Sequence, residues 1–206
     1  DLFHLIVAVT HAPAYARENA EALRLKFPRV PLPRDKKIVD PLVALGAKLS
    51  ALLDPETKVT HDKKSLGLSR AVLDGKGEVD VRANWGYVDK RGSVMPGQGD
   101  SRPREATAAE RAALGLTLDL LGPGMRDIHL NDHAHIAGVP DKVWGYTLGG
   151  YLVLKKWLSY RERAVLGRSL RTEEIAAFCD IARRIAAILA LGPALDEAYE
   201  AAKAAC

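Results

Sequence analysis

The stretch VWGYTLGGYLVLKKWLSYRER, residues 143–163, decides how the rest of the chain is read. A strand-like aromatic run reaches Gly149-Gly150, and a helical pattern rich in Lys and Arg follows from Tyr151. A glycine pair at such a junction has two physical explanations. It can leave backbone N–H groups open to a phosphate at a helix N-terminus. It can also let the backbone turn sharply and pass close to Trp144, where a Cβ would obstruct. By themselves, these residues favour the turn.

Helix is expected on the C-terminal side of the pair. Leu154, Trp157 and Leu158 share one face, with Lys155, Lys156 and Ser159 pointing elsewhere. Thr172 reads as an N-cap, followed by Glu173 and Glu174 where the helix dipole favours acids. Ile175, Phe178, Ala182, Ile185 and Leu189 step by three and four, so this helix should bury a clean stripe. Gly192-Pro193 should end it, leaving ALDEAYEAAKAA as a last, weakly anchored helix.

Strand and turn signals lie on the N-terminal side. IHLNDHAHIAG, 128–138, alternates as a strand does, and ATAAERAALGLTLDLLG, 106–122, reads as a helix interrupted by Gly115. GQGDSRPR, 97–104, reads as an exposed loop. TKVTH at 57–61 and Val79, Val81, Trp85, Tyr87 and Val88 suit short strands, and DKRG at 89–92 a hairpin turn. Further back, Leu2, Leu5, Ile6 and Val9 recur at helical spacing, and Phe3 and Val7 widen the stripe towards burial all round. Pro13 opens a second helix running to about Phe27, and Pro28, Pro31 and Pro33 enforce an extended crossing. A third helix runs from about Lys36 to Leu53, with Leu42, Leu45, Leu49 and Leu52 on one side. The expected fold class is α+β. One domain spans 1–206, helical over 1–54, β-rich over 55–148 and helical over 149–206.

Composition sets outer limits. Of 206 residues, 48% are hydrophobic, enough to bury a core. No apolar run reaches the roughly 18 residues a membrane span needs, so no membrane partner is expected. Cys179 and Cys206 are the only cysteines, and a disulfide framework is not expected; a reducing, cytoplasmic setting fits. The chain begins at Asp1, and it is expected to be a piece of a longer polypeptide. The net charge of +4 is modest, but Lys and Arg cluster: six bases to one acid over 24–37, five to two over 82–104, six to one over 155–171. Clustered cations suit a polyanionic partner, since each phosphate neutralised releases counterions.

The sequence lacks G-x-x-x-x-G-K-[ST], a helix-opening G-x-G-x-x-G, and G-x-S-x-G. No nucleotide loop or serine-nucleophile motif therefore supports a complete enzyme. His129, Asp132, His133 and His135 in IHLNDHAH are the best catalytic-looking group, and the histidines at 133 and 135 would project to one side of a strand as metal ligands. A third ligand is not specified, no acid sits at a diagnostic spacing, and a polar strand whose histidines bond backbone or solvent explains them better. Arg82, Asn84, Lys90 and Arg91 surround Trp85 and Tyr87 in the expected hairpin. Arg can pair with guanine edges, Asn with adenine, and Lys with phosphates; an edge hairpin kept soluble by its charges would look the same.

Two long segments carry a resemblance. At one end stand Trp144, Tyr146, Gly149, Gly150, Tyr151, Val153, Leu154, Lys156, Trp157 and Leu158, then Leu170 and Glu174; at the other stands HAPAYARENAEALRLKFPRVPLP, residues 11–33. In this order they resemble the C-terminal specificity, or target-recognition, domain of type ISP restriction–modification enzymes, with Ala12 where that family usually has Ser. The resemblance implies a non-catalytic reader of double-stranded DNA in a phage-defence enzyme. An adenine DNA methyltransferase using S-adenosylmethionine would precede it in the same polypeptide, with a helicase and nuclease further upstream in the full enzymes. No cofactor is expected in this segment itself. Arg82, Asn84, Lys90, Arg91, Arg102, Arg104, Tyr146, Gly149, Gly150, Lys155, Lys156 and Arg161 are the candidate DNA-binding residues. The glycine pair becomes scaffold first, bringing Trp144 and Trp157 together. A module that docks the methyltransferase or helicase, and a small metal-dependent enzyme at the three histidines, are the alternatives.

Overall fold

The computed structural model describes residues 2–58, 69–72, 79–115 and 117–206, the side chains of 69–72, 117 and 118 excepted. Contacts divide the chain into two units, Asp1–Thr60 with Ala187–Cys206, and His61–Ala186. The expected strand at 57–61 lies largely outside the described residues.

The first unit is helical: α1 (Leu2–His11), α2 (Pro13–Glu18), α3 (Ala20–Leu25) and α4 (Lys36–Leu53) from its N-terminal part. The helix expected from Pro13 to about Phe27 is thus broken at Asn19 into two short ones. Helix α4 is capped by Asp35, whose side chain accepts the Lys37 amide at 2.9 Å, and it buries Leu42, Leu49 and Leu52, with Leu45 half-buried. Helix α1 is not buried all round. Leu5, Ala8 and Val9 are buried, while Leu2 and Phe3 are exposed, because its neighbours α2, α4 and the C-terminal helix cover one side only.

The second unit begins with β1 (Ser69–Val72) and continues through β2 (Gly86–Val88), β3 (Val94–Pro96), β4 (Asp100–Glu105), α5 (Ala108–Leu114), α6 (Thr117–Leu121), β5 (Gly124–His129), β6 (Ala134–Pro140), α7 (Asp141–Trp144), β7 (Thr147–Leu148), β8 (Tyr151–Leu152), α8 (Val153–Ser159) and α9 (Arg163–Leu166). Helix α10 (Thr172–Ala190) carries the chain back into the first unit, which closes with α11 (Gly192–Ala204). The mixed helical and antiparallel-strand architecture is α+β, as the sequence implies.

Strands β1, β6, β5 and β4 form an antiparallel sheet in that spatial order. Two corrections follow. GQGDSRPR is not wholly loop, because Asp100–Glu105 pairs along β5 with Pro103 opposite Arg126. Strand β4 is an edge, so a proline without an N–H is tolerated there. IHLNDHAHIAG is not one strand. The chain turns at Leu130–His133 and returns, placing His129 opposite His135. Ile128, Leu130, Ile136 and Val139 are buried, and the alternation in sequence simply continues through the loop.

Helix α5 starts with a reciprocal cap, Thr107 with Glu110, and stops before Gly115, so the interrupted helix is two helices. Thr172 is the first helical residue of α10 rather than its cap. The Arg171 amide is instead taken by Glu174 Oε2 at 2.9 Å. Ile175, Phe178, Ala182 and Ile185 are buried as the spacing requires, while Leu189, the last of the expected stripe, is only half-buried. Helix α11 is firmly held rather than weakly anchored. Leu195, Tyr199 and Ala202 are buried, the Ala14 amide donates to Asp196 at 2.6 Å, and Tyr199 Oη donates to Glu18 at 2.9 Å.

Candidate nucleic-acid interface

The seat of the second unit is Trp85, fully buried. Its indole N–H donates to the His129 carbonyl at 2.7 Å, and its ring meets Trp144 edge-on at 5.4 Å between centroids. Gly99, at φ +71°, lies so close to this ring that a Cβ would enter it. Trp157 packs against Phe178 instead, at 5.5 Å, so the expected Trp144–Trp157 contact is replaced by two separate pairs.

Glu162 fastens the same place from the other side. It is 7% exposed, and its Oε2 accepts the Trp85 amide at 2.7 Å. Burial pushes its carboxyl pKa up, while the amides of Trp85, Gly86 and Asn84 pull it back. Bridges from Val79 to Leu170 and from Val81 to Glu162 tie the approach to the hairpin onto the segment around α9. These are the short extended pieces that Val79 and Val81 signal.

On this seat stands the β2–β3 ribbon, with Tyr87 opposite Met95 and Val88 opposite Val94. Its turn is the expected one at 89–92. Asp89 Oδ1 accepts the amides of Arg91 and Ser93, each at 2.8 Å, which leaves Lys90 and Arg91 exposed at the tip. Tyr87, Val88 and Met95 are exposed along the ribbon. Helix α8 packs beside it, and Lys156 Nζ donates to the Val94 carbonyl at 3.2 Å. The same ammonium lies 4.8 Å from the Tyr160 ring and 5.1 Å from the Tyr151 ring. Lys156 thus joins ribbon and helix into one ledge.

The glycine pair sits at the tip of the β7–β8 hairpin, with φ +57° at Gly149 and +82° at Gly150. Positive φ at both central residues is the two-residue turn whose twist suits a hairpin, which answers why two glycines are needed. A Cβ on either would meet nothing, so the requirement is conformational. The pair does not open a helix; Tyr151 and Leu152 pair back as a strand before α8 begins. Gly150, Tyr151, Leu152, Lys155, Lys156 and Pro96 line a depression of about 190 Å³. Tyr146 is half-buried, and burial pushes its phenol pKa up.

The remaining candidate arginines divide sharply. Arg104 is gripped by two carboxylates, with contacts of 2.6–2.7 Å to Glu110 and 2.9–3.0 Å to Asp127. That grip holds the Glu110 carboxyl down to about 2. Arg161 lies flat on Trp157, its Cζ 3.6 Å from the ring centroid, with Glu174 at 3.7 Å. Arg82 and Arg102 are exposed, each bonded on one edge to a neighbouring acid, Asp80 and Asp100. Asn84 is exposed and holds φ +60°, its carbonyl accepting the Gly99 amide at 2.9 Å.

Arg82 also borders a polar cavity of about 440 Å³ with Asp80, Asp100, Asn131, Asp132 and His133. The β5–β6 loop makes its far wall: Asn131 Nδ2 donates to the Asp80 carbonyl at 2.8 Å and its Oδ1 accepts the His133 amide at 2.7 Å. Sequence reasoning missed this wall, although the Asn-Asp pair between two apolar runs is a turn signal. His129 and His135 stack at 5.0 Å across the strands, and burial lowers the His129 pKa. His133 stands in the loop, so the three imidazoles do not converge, and no group of three metal-binding side chains occurs among the described residues. No helix among the described residues is long and apolar enough to cross a membrane.

Comparison with known proteins places this geometry in context. Curated protein sequences yield no match. A nuclease-deletion mutant of the Type ISP restriction–modification enzyme LlaGI, in complex with a DNA substrate mimic, is similar over 95% of this chain, with 17% identity and a TM-score of 0.50. The ATP-dependent Type ISP restriction–modification enzyme LlaBIII, bound to DNA, is similar over 97%, with 12% identity and a TM-score of 0.51. The chain spans only 13% and 11% of those two proteins. These similarities show a shared fold. The family model for the Type ISP C-terminal specificity domain matches residues 1–187, and the chain therefore belongs to that family.

Proposed function

We propose that the chain recognises a short double-stranded DNA sequence on behalf of an adenine DNA methyltransferase in the same polypeptide, and that it makes and breaks no bonds itself. S-adenosylmethionine belongs to that methyltransferase on this reading, and any helicase and nuclease lie further upstream. Family membership supports the reading, as does the DNA held by both structural relatives. The observation that carries it is the ledge: a ribbon with Lys90 and Arg91 at its tip, joined through Lys156 to the β7–β8 hairpin, and seated on the buried Trp85 and Glu162. Rigid placement of cations is what converts general attraction to phosphate into a fixed register on the duplex.

The candidate residues then take separate roles. Lys90, Arg91, Lys155 and Lys156 hold phosphates, with the amides of Gly149 and Gly150 and the phenol of Tyr146 beside them. Arg82, Asn84 and Arg102 face base edges, Arg82 from the border of the polar cavity. Arg104 and Arg161 brace the frame through the carboxylates that hold them.

Base reading is tested in the full-length enzyme with Arg82→Ala and Asn84→Gly together. Glycine preserves the positive φ at position 84, so the change removes the side chain without adding strain. Methylation-sensitive sequencing of cells expressing the variant should show the modified site relaxed at one or two positions, since a lost bidentate pair is worth about 1–3 kcal/mol of discrimination. An unchanged site at unchanged level would remove both residues from base reading.

A further inference from the structure

The β7–β8 hairpin carries more than a turn. Leu148 and Tyr151 are directly opposed across it, so their side chains leave the same face of the ribbon. Leu148 is 58% exposed and Tyr151 53% exposed. Neither contributes much to the core, yet both are held by a two-residue turn whose tip has no side chains of its own. The result is a narrow, apolar and aromatic point.

Its surroundings are cationic. Lys155 and Lys156 line the depression beside it, and none of the other lining residues, Pro96, Gly150, Tyr151 and Leu152, is acidic. The Lys156 ammonium is drawn to the Tyr151 ring. An apolar point beside fixed cations is complementary to an apolar stack beside fixed anions, which is the cross-section of a nucleic-acid groove. Apolar side chains inserted between base pairs unstack a step and kink the duplex, and an aromatic ring can replace part of the stacking that is lost.

The geometry points to the β7–β8 tip as a wedge: Leu148, backed by Tyr151, enters one base step of the bound duplex and unstacks it, while Lys155 and Lys156 hold the flanking phosphates. This rests on the duplex-recognition reading above and adds to it a deformation of the DNA and the residues that cause it.

The test uses the full-length enzyme and duplexes carrying its mapped site, with 2-aminopurine in place of each adenine, or pyrrolocytosine in place of each cytosine, in turn on either strand, except at the methylated adenine. Enzyme is saturating, so that fluorescence reports the bound duplex alone. Wild type should raise the emission several-fold at one step. Leu148→Ser should reduce that rise at least threefold, Tyr151→Ser should reduce it less, and Leu148→Met should restore it. An absence of any rise in wild type, or a full rise in both serine variants, overturns the wedge and leaves duplex recognition standing; the latter is also what a neighbouring protein domain covering Leu148 would give. Failure of wild type to prefer its site over a scrambled duplex overturns the recognition reading together with the wedge.

Discussion

Two ends of the second unit treat positive charge in opposite ways. At the sheet edge, Arg104 lies between Glu110 and Asp127 with about a quarter of its side chain in water. At the ribbon tip, Lys90 and Arg91 are exposed, and the one acid beside them, Asp89, is turned inward onto backbone amides. All three cations belong to the same basic cluster over 82–104. Charge counted along a sequence is therefore not charge offered to a partner. Some of it is consumed in building the surface that displays the rest.

The comparison is sharpest where a cation is removed. Arg104→Ala leaves two partly buried carboxylates without their common partner and should cost about 2–3 kcal/mol, less than a fully buried pair because water reaches the site. Urea titration measures this, and its pH dependence identifies the cause. Glu110 titrates at about 2 in the fold against an ordinary value of 4.5, so its contribution is complete above pH 4.5 and is lost as pH falls towards 2. Arg104→Ala should flatten the stability curve within that window. A loss of stability with an unchanged acid limb would mean that packing, not the ion pair, holds the sheet edge.

Arg161→Ala should cost less, about 1 kcal/mol. It gives up the stacking on Trp157, but Glu174 keeps Arg168 at 2.7 Å and the Arg171 amide. Thermal melting that fell as far as in Arg104→Ala would show that the Trp157 stack, rather than Glu174, is the main tie. Lys90→Ala with Arg91→Ala should change stability by no more than about 0.5 kcal/mol, since neither side chain is buried. A larger fall in the same melting experiment would place them among the structural cations and erase the contrast.

This contrast explains what the sequence could and could not disclose. Local signals were legible: the leucines of α4, the stripe on α10, and the turn at Asp89–Gly92 each depend on residues close in sequence. Strand β4 was hidden because Pro103 and alternating charges read as loop, and only its place at the sheet edge makes them acceptable. The hairpin at Leu130–His133 was hidden because polar and apolar residues keep alternating through it. In the candidate site, Lys90, Arg91 and the glycine pair could be singled out from composition and turn chemistry. The commitment of Arg104 to Asp127, 23 residues away, and the grip of Glu162 on Trp85, 77 residues away, could not, because both exist only after strands and helices have met.

In the proposed complex the ribbon tip, and not the latched arginine, meets phosphate. This is tested most directly by the salt dependence of specific duplex binding by the full-length enzyme, measured well below the melting temperature. Each phosphate contact contributes about 0.9 to the magnitude of the slope with which log K falls against log salt. Lys90→Ala with Arg91→Ala should therefore lower that magnitude by about 2, while Arg104→Ala leaves it at the wild-type value. A slope unmoved by the first change, or lowered equally by the second, would mean that the tip does not hold phosphate or that Arg104 holds it as well.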